Sequence, residues 1–154
     1  MEPHLLSRPR KAPFDLAEQV RLRDEAVQKI KSVLLPDAGI EKIVLIGSSV
    51  KGSFGKYDPP GFRGSLFSDF DFIVFVADDY QIPSTLTREP DGRPFPDDAL
   101  NLAYRQKNFL RDTYDAEIFF IRKSSAEDPK IRFLGEEAGI PMTAESKHPR
   151  LEII

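Results

Sequence analysis

The sequence predicts an α/β (α+β) domain, a small mixed β-sheet flanked by helices. Three observations carry this expectation. Apolar residues recur at helical spacing between Asp15 and Leu34, the segments 43–46, 70–76 and 114–121 are almost continuously apolar, and long connections rich in proline and glycine separate them. A continuous apolar run is the mark of a strand covered on both faces. At 154 residues the chain can bury about two-thirds of its unfolded surface around one core, so one domain over residues 14–140 is expected, with a flexible lead-in at 1–13 and a tail at 141–154.

Residues 1–13 hold three prolines and several basic residues without a period, which predicts extended or partly disordered chain. Leu16, Val20, Val27, Ile30 and Leu34 then mark the first helix, with Asp15 as its cap and Pro36 and Gly39 as its stop. Ile43 to Ile46 form the first strand, closed by Gly47, and Val50 to Phe54 a short helical turn. Gly55 to Phe67, with three glycines and two prolines, reads as an irregular loop or flap, and Phe70 to Val76 as the second strand. A second irregular connection covers 80–97. Ala99 to Leu110 carries Leu102, Ala103, Gln106 and Leu110 near helical spacing and predicts a second helix capped by Asp97 or Asp98. Tyr114 to Ile121 is the third strand, Ala126 to Ala138 the last helix, and Leu151 to Ile154 an edge strand or tail. The aromatic set Phe70, Phe72, Phe75, Phe119 and Phe120 is expected in the core.

A net charge of −3, from 22 well-mixed basic and 25 acidic residues, gives no polyanion-binding signal at whole-chain level, so nucleic acid as a partner is neither indicated nor excluded. Without cysteine there are no disulfides, thiolate metal sites or thiol nucleophiles, and the two histidines, His4 and His148, fall in the expected tails. No apolar run approaches the roughly 18 residues of a membrane span, and the N-terminus lacks a secretory core, so a soluble cytoplasmic protein is expected.

The chemistry concentrates at two ends of one stretch, Gly47-Ser48-Ser49 and Asp69-Phe70-Asp71. Alternate strand residues share a face, so Asp69 and Asp71 project together, about 7 Å apart along the strand. Two carboxylates so placed repel without a cation, and hard oxygen donors suit magnesium or manganese completed by phosphate oxygens. Gly47 allows close backbone approach, Ser48 and Ser49 open a short helix with free N–H groups and hydroxyls, and Lys51 can add a cation: together a phosphate cradle. A third carboxylate would come from the later strand, where Asp115 and Glu117 share a face; Glu117 is preferred because Ala116 and Ile118 place it inside the strand.

At these residues, LIGSSVKG and then SDFDFIVFV, the chain resembles the small members of the polymerase-β-like nucleotidyltransferase superfamily, over roughly residues 40–122. The pattern is an apolar strand, Gly-Ser, a spacer, Asp-x-Asp within a second apolar strand and a carboxylate on a later one. The resemblance implies that Asp69 and Asp71 bind Mg2+ or Mn2+, that Glu117 (or Asp115) is the third ligand, and that Glu117 helps deprotonate the attacking hydroxyl. Gly47, Ser48, Ser49 and Lys51 would hold the triphosphate. The implied reaction is attack of an acceptor hydroxyl on the α-phosphorus of a nucleoside triphosphate, releasing pyrophosphate. The implied acceptor lies on a partner protein, at a homodimer interface or on a small molecule. A non-catalytic nucleotide-binding or partner-binding module of the same fold is the competing expectation.

Overall fold

The structure, a computed structural model, describes residues 10–35, 37–58, 66–88 and 103–154. Its elements in chain order are β1 (Arg10–Pro13), α1 (Leu16–Leu34), β2 (Ile40–Ile46), α2 (Ser48–Lys51), β3 (Gly55–Asp58), β4 (Phe70–Val76), β5 (Thr87–Arg88), β6 (Ala103–Leu110), β7 (Tyr114–Arg122), α3 (Lys123–Glu127), α4 (Pro129–Glu137) and β8 (Leu151–Glu152). A six-stranded sheet runs in the order β5-β6-β7-β4-β2-β8, and a small second sheet pairs β1 with β3. Among the described residues only β4 and β7 are parallel neighbours; the other ladders are antiparallel. The expected mixed sheet with helices is therefore present, and the three predicted strands lie side by side as β7-β4-β2. No described helix is long and apolar enough to cross a membrane.

The sheet is apolar on both sides because both sides are covered. Phe70, Phe72, Val74 and Val76 of β4 and Ala116, Ile118 and Phe120 of β7 join Leu22, Ala26, Ile30 and Leu34 of α1 in one core. Ile73, Phe75, Phe119 and Ile121, the alternate residues, join Val44, Ile46, Ile131 of α4, Ile140 and Met142 in another. The aromatic set is buried as expected. On this second face the apolar positions give way, towards the start of β4 and β7, to carboxylates.

Helix α1 starts where predicted, with the Asp15 side chain accepting the Glu18 N–H at 2.8 Å. Its buried line, however, is Gln19, Leu22, Ala26, Ile30 and Leu34, while Leu16 and Val20 are 71% and 43% exposed. A polar and a small residue within the inward stripe hid its true direction. Gln19 belongs there because its amide donates to the Phe14 carbonyl (2.7 Å) and the Gly52 carbonyl (3.1 Å) and accepts the Phe54 N–H (3.3 Å). One side chain thus bonds three backbone groups, among them the buried Phe54 N–H, which would otherwise have no partner.

Four further expectations are corrected. Residues 103–110 are strand β6, not the end of a helix; residues 97–102 lie outside the described residues. The register slips between Gln106 and Leu110, and Asn108 takes a left-handed φ of 54°. Such a bulge destroys the two-residue alternation that would have betrayed a strand, leaving a spacing that mimics a helix. Gly55–Asp58 is regular strand paired with Arg10–Pro13, which orders that part of the lead-in, and Lys56 bridges to Phe67; residues 59–65 of the flap lie outside the described residues. Gly55 is required there, since a Cβ would collide with the Ala12 carbonyl. The short helix opens at Ser48, as expected of the turn after Gly47, but it ends at Lys51 and does not cover the expected Val50–Phe54. The last helix is two, α3 and α4, broken where Asp128 accepts the Lys130 N–H (2.9 Å) and Pro129 starts α4. Leu151–Glu152 does form the edge strand, on β2.

Replacing Gln19 by leucine keeps the volume but strips three backbone groups of their partner. Urea unfolding is expected to show a loss of about 2–3 kcal/mol with an unchanged denaturant slope.

Candidate functional site

The ladders set the site's geometry. Ile46 of β2 pairs with Asp71 of β4, Asp71 with Glu117 of β7, and Glu117 with Arg105 of β6. Directly paired residues point to the same face, so Asp71, Glu117 and Arg105 form a row across three strands. Asp69 and Asp115 lie two residues earlier on β4's approach and on β7, facing the same way. The three predicted pieces therefore meet.

Gly47 closes β2 against Asp71. Its backbone, φ 80° and ψ −154°, is open essentially to glycine alone, and a Cβ there would stand 2.5 Å from Asp71 Oδ2. Glycine is needed twice, for the turn and for the carboxylate to lie over it. The chain then makes α2 and leaves it through Gly52 at φ 79°. Lys51, exposed at the end of α2, lines the cleft that Asp71 and Glu117 open into. Ser48 and Ser49 do not line it: Ser48 is half-buried, and Ser49 is buried, its hydroxyl without a hydrogen-bond partner among the described residues.

Arg105, hidden in the stretch that reads as a helix, is the cation of this face. Its guanidinium lies 3.0 Å from Asp69 Oδ2, 3.1 Å from Asp115 Oδ2 and 3.6 Å from Glu117 Oε2. Asp115 also accepts the Asn108 N–H at 2.9 Å, which ties it to the bulge of β6. Of the two candidate third carboxylates, Glu117 is the one paired with Asp71 and lining the cleft. Among the described residues no three or more histidine, aspartate or glutamate side chains converge as a ready metal cage. Asp69, Asp71 and Glu117 present carboxylates on one face, and Arg105 already engages Asp69 and Glu117.

The cleft, about 200 Å3, is also lined by Ala138 to Ile140 and by His148 and Pro149. The expected tail is therefore part of the site. Glu136 of α4 fastens it: the Ser146 hydroxyl donates to Glu136 Oε2 (2.6 Å) and the Lys147 N–H to Oε1 (3.3 Å). The Ser146 bond foremost, against the opposing desolvation, and then the Lys147 N–H with the nearby Lys147 charge, hold the Glu136 carboxyl below its ordinary range. Nothing local in the sequence marks His148 as a site residue, since only the packing of α4 and the β8 ladder returns it to the sheet.

Comparison with protein-family models and with curated proteins gives no match to this chain.

Gly47→Ala should cost about 3 kcal/mol, strain plus displacement of Asp71, whereas Gly52→Ala, with nothing within 4 Å of its Cβ, should cost only about 1 kcal/mol for the left-handed backbone; urea titrations of the two variants compare them. Because the Glu136 carboxyl binds protons less readily when folded, its hold on 146–148 is full above the ordinary glutamate range and is lost as pH falls through the lowered folded-state value. Amide NMR shifts of Lys147 and His148 should follow that acid transition, and Glu136→Gln should abolish it.

Proposed function

We propose that this protein is a divalent-metal-dependent nucleotidyltransferase, moving a nucleoside monophosphate from a nucleoside triphosphate to a hydroxyl of a protein or small molecule. The observation that carries the reading is the register that sets Asp71 beside Glu117 and against Gly47, at a cleft that also holds Lys51. Carboxylates facing a cation across a partly enclosed space are what transfer at phosphorus requires: one side gathers hard cations, the other meets phosphate charge.

In this reading Asp71 and Glu117 would hold Mg2+ or Mn2+, with Asp69, now in contact with Arg105, as a further ligand. The metal, when bound, supplies charge neutralisation at the phosphates and polarises the reacting oxygens. Lys51 would meet the phosphates, and the Gly47 backbone would leave room for their approach. Ser48 and Ser49 have no assigned contact in this scheme, because neither lines the cleft.

A second reading is favoured by one observation. Arg105 already engages three carboxylates, as expected of a face kept for structure or for binding nucleotide without transfer.

Calorimetry with ATP separates the two. The transferase reading expects ATP binding that needs Mg2+ or Mn2+, pyrophosphate release with a suitable hydroxyl donor, and loss of at least about 100-fold in turnover for Asp71→Asn or Glu117→Gln. Binding that is metal-dependent but never releases pyrophosphate supports the binding module. No metal-dependent binding in the wild type, and no change on Asp69→Asn with Asp71→Asn, would sink the nucleotide site altogether.

A further inference from the structure

His148 is held in the cleft wall with more care than a tail residue needs. Its Nε2 lies 3.0 Å from the Glu136 carbonyl oxygen. That oxygen can only accept, so Nε2 carries the hydrogen and Nδ1 carries the lone pair of the neutral ring. Among the described residues Nδ1 makes no hydrogen bond. The His148 N–H donates to the Ser146 hydroxyl (3.1 Å), itself held by Glu136, and downstream Arg150 donates to the Pro141 carbonyl (3.1 Å) while β8 pairs with β2. The segment is thus fastened to α4 before the histidine and to the sheet after it.

We propose that His148 is the proton acceptor for the attacking hydroxyl, a role that rests on the nucleotidyl-transfer reading above. An imidazole whose one nitrogen is anchored to a carbonyl and whose other is available is the arrangement of an oriented general base. Glu136 Oε1, 3.8 Å from Nε2, adds a negative charge beside the imidazolium that forms. Glu117 is less suited to the task, since its carboxylate is engaged by Arg105 at 3.6 Å and, in this reading, would also hold the metal. In the step, the hydroxyl oxygen bonds to the α-phosphorus, its proton passes to Nδ1, and the bond to pyrophosphate breaks with its electron pair on the leaving oxygen. The imidazolium then returns the proton to solvent. The charged groups that face the ring are Glu136 from α4, its neighbour Lys147, and Lys51, Asp71 and Glu117 across the cleft.

The test follows pyrophosphate release from ATP and Mg2+, with glycerol as hydroxyl donor, across pH. Wild type, His148→Gln and His148→Ala are compared, alongside ATP binding and thermal unfolding. Wild-type turnover should show an acid limb, its fall at low pH marking the loss of the proton acceptor from the reaction. His148→Gln, whose amide can still donate to the Glu136 carbonyl, should bind ATP as the wild type does, turn over about 100-fold more slowly and lose the acid limb. Added imidazole should restore His148→Ala, which a merely structural role does not allow. Wild-type turnover with an intact acid limb in His148→Gln overturns the role of His148 and leaves nucleotidyl transfer standing. Metal-dependent ATP binding without any pyrophosphate release overturns it while keeping a nucleotide site. Absence of metal-dependent binding removes both.

Discussion

Asp71 and Glu117 stand side by side because β4 and β7 run parallel in the register that pairs them, and the charge they bring into a covered sheet is the constraint that the rest of this face answers. At a strand spacing of about 4.8 Å and an effective dielectric near 20, two such carboxylates repel by about 3 kcal/mol. Compensation comes from the flanks. Arg105 on β6 reaches Asp69, Asp115 and Glu117 from one side, and Lys51 stands on the other side of the cleft. Gly47 contributes by lacking a side chain, so that Asp71 can lie over the turn.

The scaffold around this pair is stiff for separable reasons. Both faces of β4 and β7 are packed, by α1 on one side and by α4 with the 140–142 segment on the other. Gln19 ties α1 to the segments that enter and leave the small β1–β3 sheet. At the opposite face Asp78, just past the end of β4, accepts both the N–H and the hydroxyl of Ser124 at 2.9 Å, anchoring α3 to the sheet. A carboxylate pair set on strands so braced keeps its spacing, which is the condition for any chemistry that depends on two oxygens acting together.

Much of the fold is legible along the chain. The three central strands announce themselves as apolar runs because they are covered twice, and α1 begins at the predicted capping aspartate. The carboxylates Asp69, Asp71 and Glu117 and the turn at Gly47 are legible as well, since alternation and glycine's conformational freedom are local rules. Helix α1's buried face was obscured by Gln19 and Ala26, whose reasons for burial lie in backbone groups and neighbours distant in sequence. β6 escaped because its bulge, with Asn108 in the left-handed region, removes the alternation. With β6 went Arg105, and no local signal tells that Ser49 is buried or that Ser48 and Ser49 lie outside the cleft's lining.

By itself the sequence determined which residues could be strands, where a turn had to be glycine, and which acids share a face, because those follow from backbone sterics and the two-residue period of a strand. Only the tertiary structure decided what faces those acids. Arg105 meets them through a ladder with β7, and His148 meets the cleft through Glu136 and the β8 edge, 77 residues after Asp71 in the chain. Such pairings are chosen by the burial of whole elements and the satisfaction of their backbone groups, and these are sums over the folded chain that no local pattern records.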